Sequence, residues 1–172
     1  MKYVSTRGHS EAVDFLAASL AGLAPDGGLY TPINWPQIAR PKPGDTYVET
    51  ATRVLSAFAG GTLSDGVIRT LAERAYAPFA HQSVAPLVEV GPNRWMLELH
   101  HGPTLAFKDV AMRLIAQLYD HVLEQRGERM TSLCATSGDT GGAAASAFAG
   151  SKRVDMVILH PHNRVSPTQR LF

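Results

Sequence analysis

The most regular pattern in the chain is SLCATSGDTGGAAASAFAGSKRVDMVILH, residues 132–160. SLCAT (132–136) reads as a strand, SGDTGG (137–142) as a turn, AAASAFA (143–149) as a short helix and VDMVILH (154–160) as a second strand of the buried type. Strand, helix and strand in that order make a βαβ unit, so the two strands are expected to run parallel with a right-handed crossover. Cys134, inside the first of them, reads as a core residue. A parallel sheet needs several strands covered on both faces. Only two strands here belong to one, and the sequence is therefore expected to be the N-terminal part of a longer protein.

Upstream of this unit, Asp109 to about Gln125 is predicted to be a long helix, with Val110, Leu114, Leu118 and Val122 at helical spacing and Gly127 as the stop. APLVEV (85–90) and RWMLELH (94–100) are short strand candidates around the turn GPNR (91–94). The chain before residue 83 is of another character. YVSTRG (3–8) suggests an opening strand; Ser10 is the expected cap of a helix carrying Val13, Leu16 and Leu20, and Pro-Asp-Gly-Gly (25–28) a tight reversal. Pro32, Pro36, Pro41 and Pro43 make a loop. Thr46 with Glu49 forms a capping-box pattern before a helix stopped by Gly60-Gly61, and Ser64 opens another that ends near Pro78. Residues 1–82 are thus expected to pack as a small domain, and 83–172 as the beginning of a second.

The bulk numbers narrow the function classes. A net charge of +1 across 172 residues carries no clustered basic face, so no nucleic-acid partner is expected. No apolar run reaches the length of a membrane span. The N-terminus lacks a secretory pattern, and a single cysteine suits a reducing compartment, so the expected location is cytoplasmic. His100 and His101, on a strand, would point to opposite faces and could not share a metal; no metal site is expected.

Two features could carry chemistry. Lys108 follows Phe107 at the start of the long helix, in HGPTLAFKD (101–109). A helix N-terminus and partial burial both favour the neutral amine, the form that attacks an aldehyde; most lysines at helix starts are nonetheless solvated and inert. The loop ATSGDTGGAAA (135–145) follows a strand and opens a helix, so its N–H groups converge on an anion site. Thr136, Ser137 and Thr140 add hydroxyls, and Gly138, Gly141 and Gly142 let the backbone come close to a ligand. It is neither a G-x-G-x-x-G fingerprint nor a Walker loop. Asp139 would repel a bare polyphosphate, so a carboxylate or hydroxyl-bearing ligand is easier to accommodate. Arg164 and Ser166, at a helix start suggested by Ser166-Pro167, offer a second anion contact or simply a capped helix beside a surface arginine.

Taken as a pair, HGPTLAFKD and ATSGDTGGAA resemble threonine synthase, a pyridoxal-phosphate enzyme family. MKYVSTRG (1–8), GLAPDGGLYTP (22–32) and HPHNRVSPTQ (160–169) are similar to its other segments, in order along the whole chain. The resemblance implies an α/β fold: a small N-terminal α/β domain followed by the first part of a fold type II (tryptophan synthase β-like) domain. It implies pyridoxal 5'-phosphate as cofactor and O-phospho-L-homoserine as substrate, converted with water to L-threonine and phosphate. Lys108 matches the lysine that holds the cofactor as a Schiff base and then moves protons, with Phe107 beside it. Thr136, Ser137, Gly138, Asp139 and Thr140 would bind the substrate carboxylate, Asp139 also steadying the ring-hydroxyl side of the cofactor, and Arg164 and Ser166 would lie on the substrate side. Gly142 stands where the family more often has a small hydroxyl residue, and Asn163 where glycine is common. The family's loop for the cofactor phosphate and its partner for the pyridine nitrogen come later than these residues, so the chain alone is expected to be inactive. A phospho-lyase that eliminates without adding water, and a non-catalytic binding module, remain alternatives; self-association is left open.

Overall fold

Backbone pairing at the N-terminus decides where the first helix begins. In the computed structural model, which describes residues 1–167 and 169, β1 (Tyr3–Ser5) pairs antiparallel with β2 (Tyr30–Pro32). Tyr3 also exchanges N–H···O bonds with Val13, at 2.8 and 2.9 Å. That bridge keeps the chain extended as far as Val13, so Ser10 does not cap the helix. Asp14 does: its carboxylate accepts the N–H of Ala17 at 2.8 Å, and α1 runs Phe15–Ala21. Pairing with a distant strand has overridden a local capping signal.

The reversal at residues 25–28 is held by one carboxylate. Asp26 accepts the Ser5 hydroxyl at 2.6 Å and the N–H groups of Gly28 and His9 at 2.9 and 3.0 Å. The Ser5 hydrogen bond foremost, then those backbone donors, hold its carboxyl at about 2. A lowered carboxyl stabilises the fold above its unfolded value and loses that contribution as pH falls through its folded value. This share of stability should therefore be intact above about pH 4 and disappear on acidification through about 2. Ser5→Ala should move the acid-unfolding midpoint, followed by circular dichroism, to higher pH; superimposable acid titrations would refute the assignment.

The next helices follow their local signals. Around α2 (Tyr47–Ala59) the capping box is complete: Thr46 N–H donates to Glu49 at 2.8 Å and Glu49 N–H to the Thr46 hydroxyl at 3.2 Å. Gly60 ends it at φ 59°, the left-handed conformation glycine adopts without penalty. α3 spans Asp65–Tyr76, with Ser64 at its start as expected. The chain divides into two compact units, Met1–Ala72 and a second opening at Glu73.

In the second unit β3 (Leu87–Gly91) and β4 (Arg94–Leu97) form an antiparallel hairpin whose turn places Asn93 at φ 55°. α4 (Asp109–Arg126) ends at Gly127, φ 67°. β5 (Met130–Ala135) and β6 (Val154–Leu159) are parallel, in register from Met130↔Val154 to Ala135↔Leu159, and α5 (Asp139–Phe148) joins them. The parallel pairing and the helix between the strands are as expected, with two corrections. α5 begins at Asp139 rather than 143, so the glycine-rich segment is its first turn. β6 is not buried on both faces: Val154 and Met156 point to the helices, whereas Val157 and Leu159 on the other face are exposed, as is their β5 neighbour Leu133. Cys134 is only half-buried.

The core of this unit is Ala116 and Leu123 of α4, Phe148 of α5 and Val154 of β6, flanked by Ile115, Tyr119, Met130, Ala147 and Met156. It seats α4 and α5 on one face of the strands, which fixes both helix N-termini. Among the described residues, no helix is long and apolar enough to cross a membrane.

Candidate active site

Lys108 is the residue immediately before the first turn of α4, in helical conformation at φ −65°, ψ −21°. It is half-buried, and its ammonium lies over the Phe107 ring, 4.1 Å from the centroid. That is a cation–π contact. Among the described residues no carboxylate forms an ion pair with it.

The loop that presents this lysine is pinned from behind by the next residue. Asp109 is fully buried, and its carboxylate accepts both the N–H and the hydroxyl of Thr104, each at 2.8 Å. Gly102 lies against it so closely that a Cβ there would stand 2.5 Å from Asp109 Cβ and 2.8 Å from Cγ. Between them Leu105 takes φ 60°, with its N–H donating to Gly102 O at 3.0 Å. A branched residue in the left-handed region costs about 1–2 kcal/mol, so the surrounding bonds must enforce it. The loop is therefore a rigid clasp, and the side chains at its crest, Leu105 and Phe107, are more than half exposed.

The glycine-rich segment comes to the same place from β5. Gly138 caps α5 through backbone alone; its N–H donates to the Thr136 hydroxyl at 3.2 Å, and its carbonyl accepts the N–H groups of Gly141 and Gly142. Gly141 is buried, and a Cβ there would meet Thr136 Cγ2 at 2.6 Å and Ile158 Cγ2 at 3.2 Å. Its missing side chain lets α5 lie directly on the ends of β5 and β6. The N–H groups of Asp139 and Thr140 sit in the first turn, where helix geometry gives them no intrahelical acceptor.

The two segments meet. A cleft of about 180 Å³ is lined by Thr104, Leu105 and Ala106 from the lysine loop and by Asp139 from α5. An adjoining face of the same helix start opens on a second cleft of about 230 Å³, lined among others by Thr136, Gly138, Gly142, His160, Val165 and Gln169. Gln169 also donates to the Asp139 carboxylate at 3.4 Å. Arg164 and Ser166 are not brought to either lining: both are exposed, and the Ser166 hydroxyl accepts the N–H of Gln169 at 3.2 Å, as a cap would. The helix expected beyond Ser166 lies largely on residues outside those described. Asn163 has φ 55°, which explains why glycine suits that position and asparagine can replace it. Thr104, Asp109 and Gln169 were missed by sequence reading, because their roles depend on partners that no local periodicity reveals.

One expectation is overturned. β4 ends at Leu97, so His100 and His101 do not alternate across a strand. Their rings stack, 4.5 Å between centroids, and His101 Nε2 lies 2.8 Å from Glu98 Oε2.

Comparison with known proteins gives these features a context. The chain is a mixed α/β fold that matches the N-terminal part of threonine synthase structures. Over 98% of its length it superposes with a TM-score of 0.90 on the pyridoxal-phosphate-bound threonine synthase of Brucella melitensis, at 52% identity, and with 0.89 on the yeast enzyme at 34%. The family model for the threonine synthase N terminus matches residues 2–76. Threonine synthase of Pseudomonas aeruginosa is 49% identical over 99% of this chain. The chain is a homologue of the threonine synthases, corresponding to their N-terminal portion. It spans 37% of the length of these bacterial relatives.

Proposed function

We propose that these residues form the lysine-bearing half of a threonine synthase active site, which converts O-phospho-L-homoserine and water to L-threonine and phosphate. The observation that carries the reading is the shared cleft: the loop leading into Lys108 and the acidic start of α5 line one cavity. In this reading residues 1–82 are the family's small N-terminal α/β domain and 83–172 the first part of its fold type II domain.

The residues present fit pyridoxal phosphate. An aldehyde needs a primary amine without an ion-pair partner, and among the described residues Lys108 is such an amine, steadied on an aromatic face. Phe107 and Lys108 would hold the cofactor from the α4 side and Asp139 from the α5 side, near its ring hydroxyl. When bound, the cofactor supplies an electron sink for negative charge at the substrate α-carbon. Lys108 Nζ would move the proton at that carbon and then at the β-carbon. The N–H groups of Asp139 and Thr140, with the Thr136 and Ser137 hydroxyls and the backbone of Gly138, bind the substrate carboxylate at the helix's positive end. The Thr104–Asp109 clasp keeps the amine in register with these donors.

Borohydride reduction of the protein purified from its source cells with pyridoxal phosphate, followed by peptide mass analysis, tests the lysine. A pyridoxyl group on the Lys108 peptide is expected; a group only on Lys2, Lys42 or Lys152, or none, would sink the assignment. Threonine with phosphate as products supports the synthase reading, and a keto acid with ammonia would replace it by phospho-lyase activity.

A further inference from the structure

The turn between β4 and the lysine loop gathers side chains that the proposed reaction does not use. Glu98, His100 and His101 each bring one ligand atom to a common point, all within 4.8 Å of one another. We propose that they form a binding site for a borderline divalent cation of the zinc class.

The donor set suits such an ion: two imidazole nitrogens and one carboxylate oxygen are common zinc ligands, and three protein ligands leave a fourth position for water. Their backbone is fixed at both ends, which keeps the ordering cost of binding low. Glu98 N–H donates to Pro86 O and Ala80 N–H to His101 O, both at 2.9 Å. The Glu98 and His101 side chains are largely shielded, and their 2.8 Å contact already places nitrogen and oxygen side by side. Ligands of one tetrahedral zinc lie about 3.3 Å apart, so the ion would widen that contact slightly and draw in His100. His100 is exposed, with its ring stacked on that of His101. His81 stands beside the cluster, its ring 5.1 Å from that of His101, but its Nδ1 accepts the Ser83 N–H at 3.1 Å and leaves the set at three. A bound ion would cross-link the end of the hairpin to the residue preceding Gly102, where the lysine loop begins.

Calorimetric titration of the full 172-residue chain, without a polyhistidine tag, with zinc chloride reads the site directly. One equivalent should bind, and Co²⁺ in its place should give the visible bands of a four-coordinate ion. His100→Ala, at an exposed position, and Glu98→Gln, which keeps a hydrogen-bonding group beside His101, should each weaken binding by at least about tenfold, the lower range seen for outer-shell changes. His160→Ala/His162→Ala should leave it unchanged. No stoichiometric binding, undiminished binding in both cluster variants, or loss confined to the His160/His162 variant would overturn the proposal.

Discussion

In the protein as its source cells make it, Lys108→Ala should abolish the borohydride-trapped adduct and lower the rate of threonine formation by about 10²–10⁴-fold, the range for losing a positioned proton-transfer group. The structure supplies the discriminating control. The Lys108 ammonium rests 4.1 Å over the Phe107 ring, so a purely electrostatic or packing role would be served by another cation. Lys108→Arg keeps the charge and the aromatic stacking but has no primary amine. It should therefore be as inactive as the alanine variant and equally free of adduct. If arginine restores most of the rate, the lysine acts through its charge and the proposed chemistry is wrong. Nothing in the core depends on this side chain, so urea unfolding of both variants should stay within about 0.5 kcal/mol of the parent, as for other surface changes.

Gly102→Ala should have the opposite signature, a loss of stability that brings a loss of function with it. The added methyl would enter the space of Asp109, which is buried, anchored on α4 and engaged with Thr104 by two bonds of 2.8 Å. Asp109 cannot turn away without leaving those donors unpaired. Overpacking at such a site costs about 1–3 kcal/mol, read as a lower urea midpoint with an unchanged slope. Asp109→Asn tests the same clasp without added volume. Turning an acceptor oxygen into a donor amide opposite Thr104 should cost about 1–3 kcal/mol and reduce the yield of pyridoxyl adduct on Lys108. An alanine at 102 that leaves the urea midpoint and the adduct yield unchanged would show that the loop can present the lysine without the clasp.

Much of the site's framework was legible along the chain because it rests on neighbours in sequence. The start of α2 follows from Thr46 and Glu49 bonding each other three residues apart, and the end of α4 from Gly127 taking φ 67°. Parallel pairing of β5 with β6 follows from strand, helix and strand in succession. Lys108 at the mouth of α4 was readable for the same reason. Where sequence reading failed, a distant partner had won. Tyr3 holds Val13 extended and moves the helix start from Ser10 to Asp14. The glycines that looked like a loop before α5 became its first turn, because Gly141 allows the helix to rest on Thr136 and Ile158.

Hydrophobic spacing, caps and glycine stops act within a few residues, so the class of elements, their order and the two segments that carry the proposed chemistry can be read along the chain. Three features came from packing alone: those segments share a cleft, Asp109 is a buried clasp rather than a surface helix start, and His100 and His101 lie with Glu98 instead of on opposite faces. The reason is burial. A carboxylate removed from water must find its donors, and an imidazole beyond a strand's end is no longer bound to alternate. Which groups are buried together depends on packing between parts of the chain that no local pattern records.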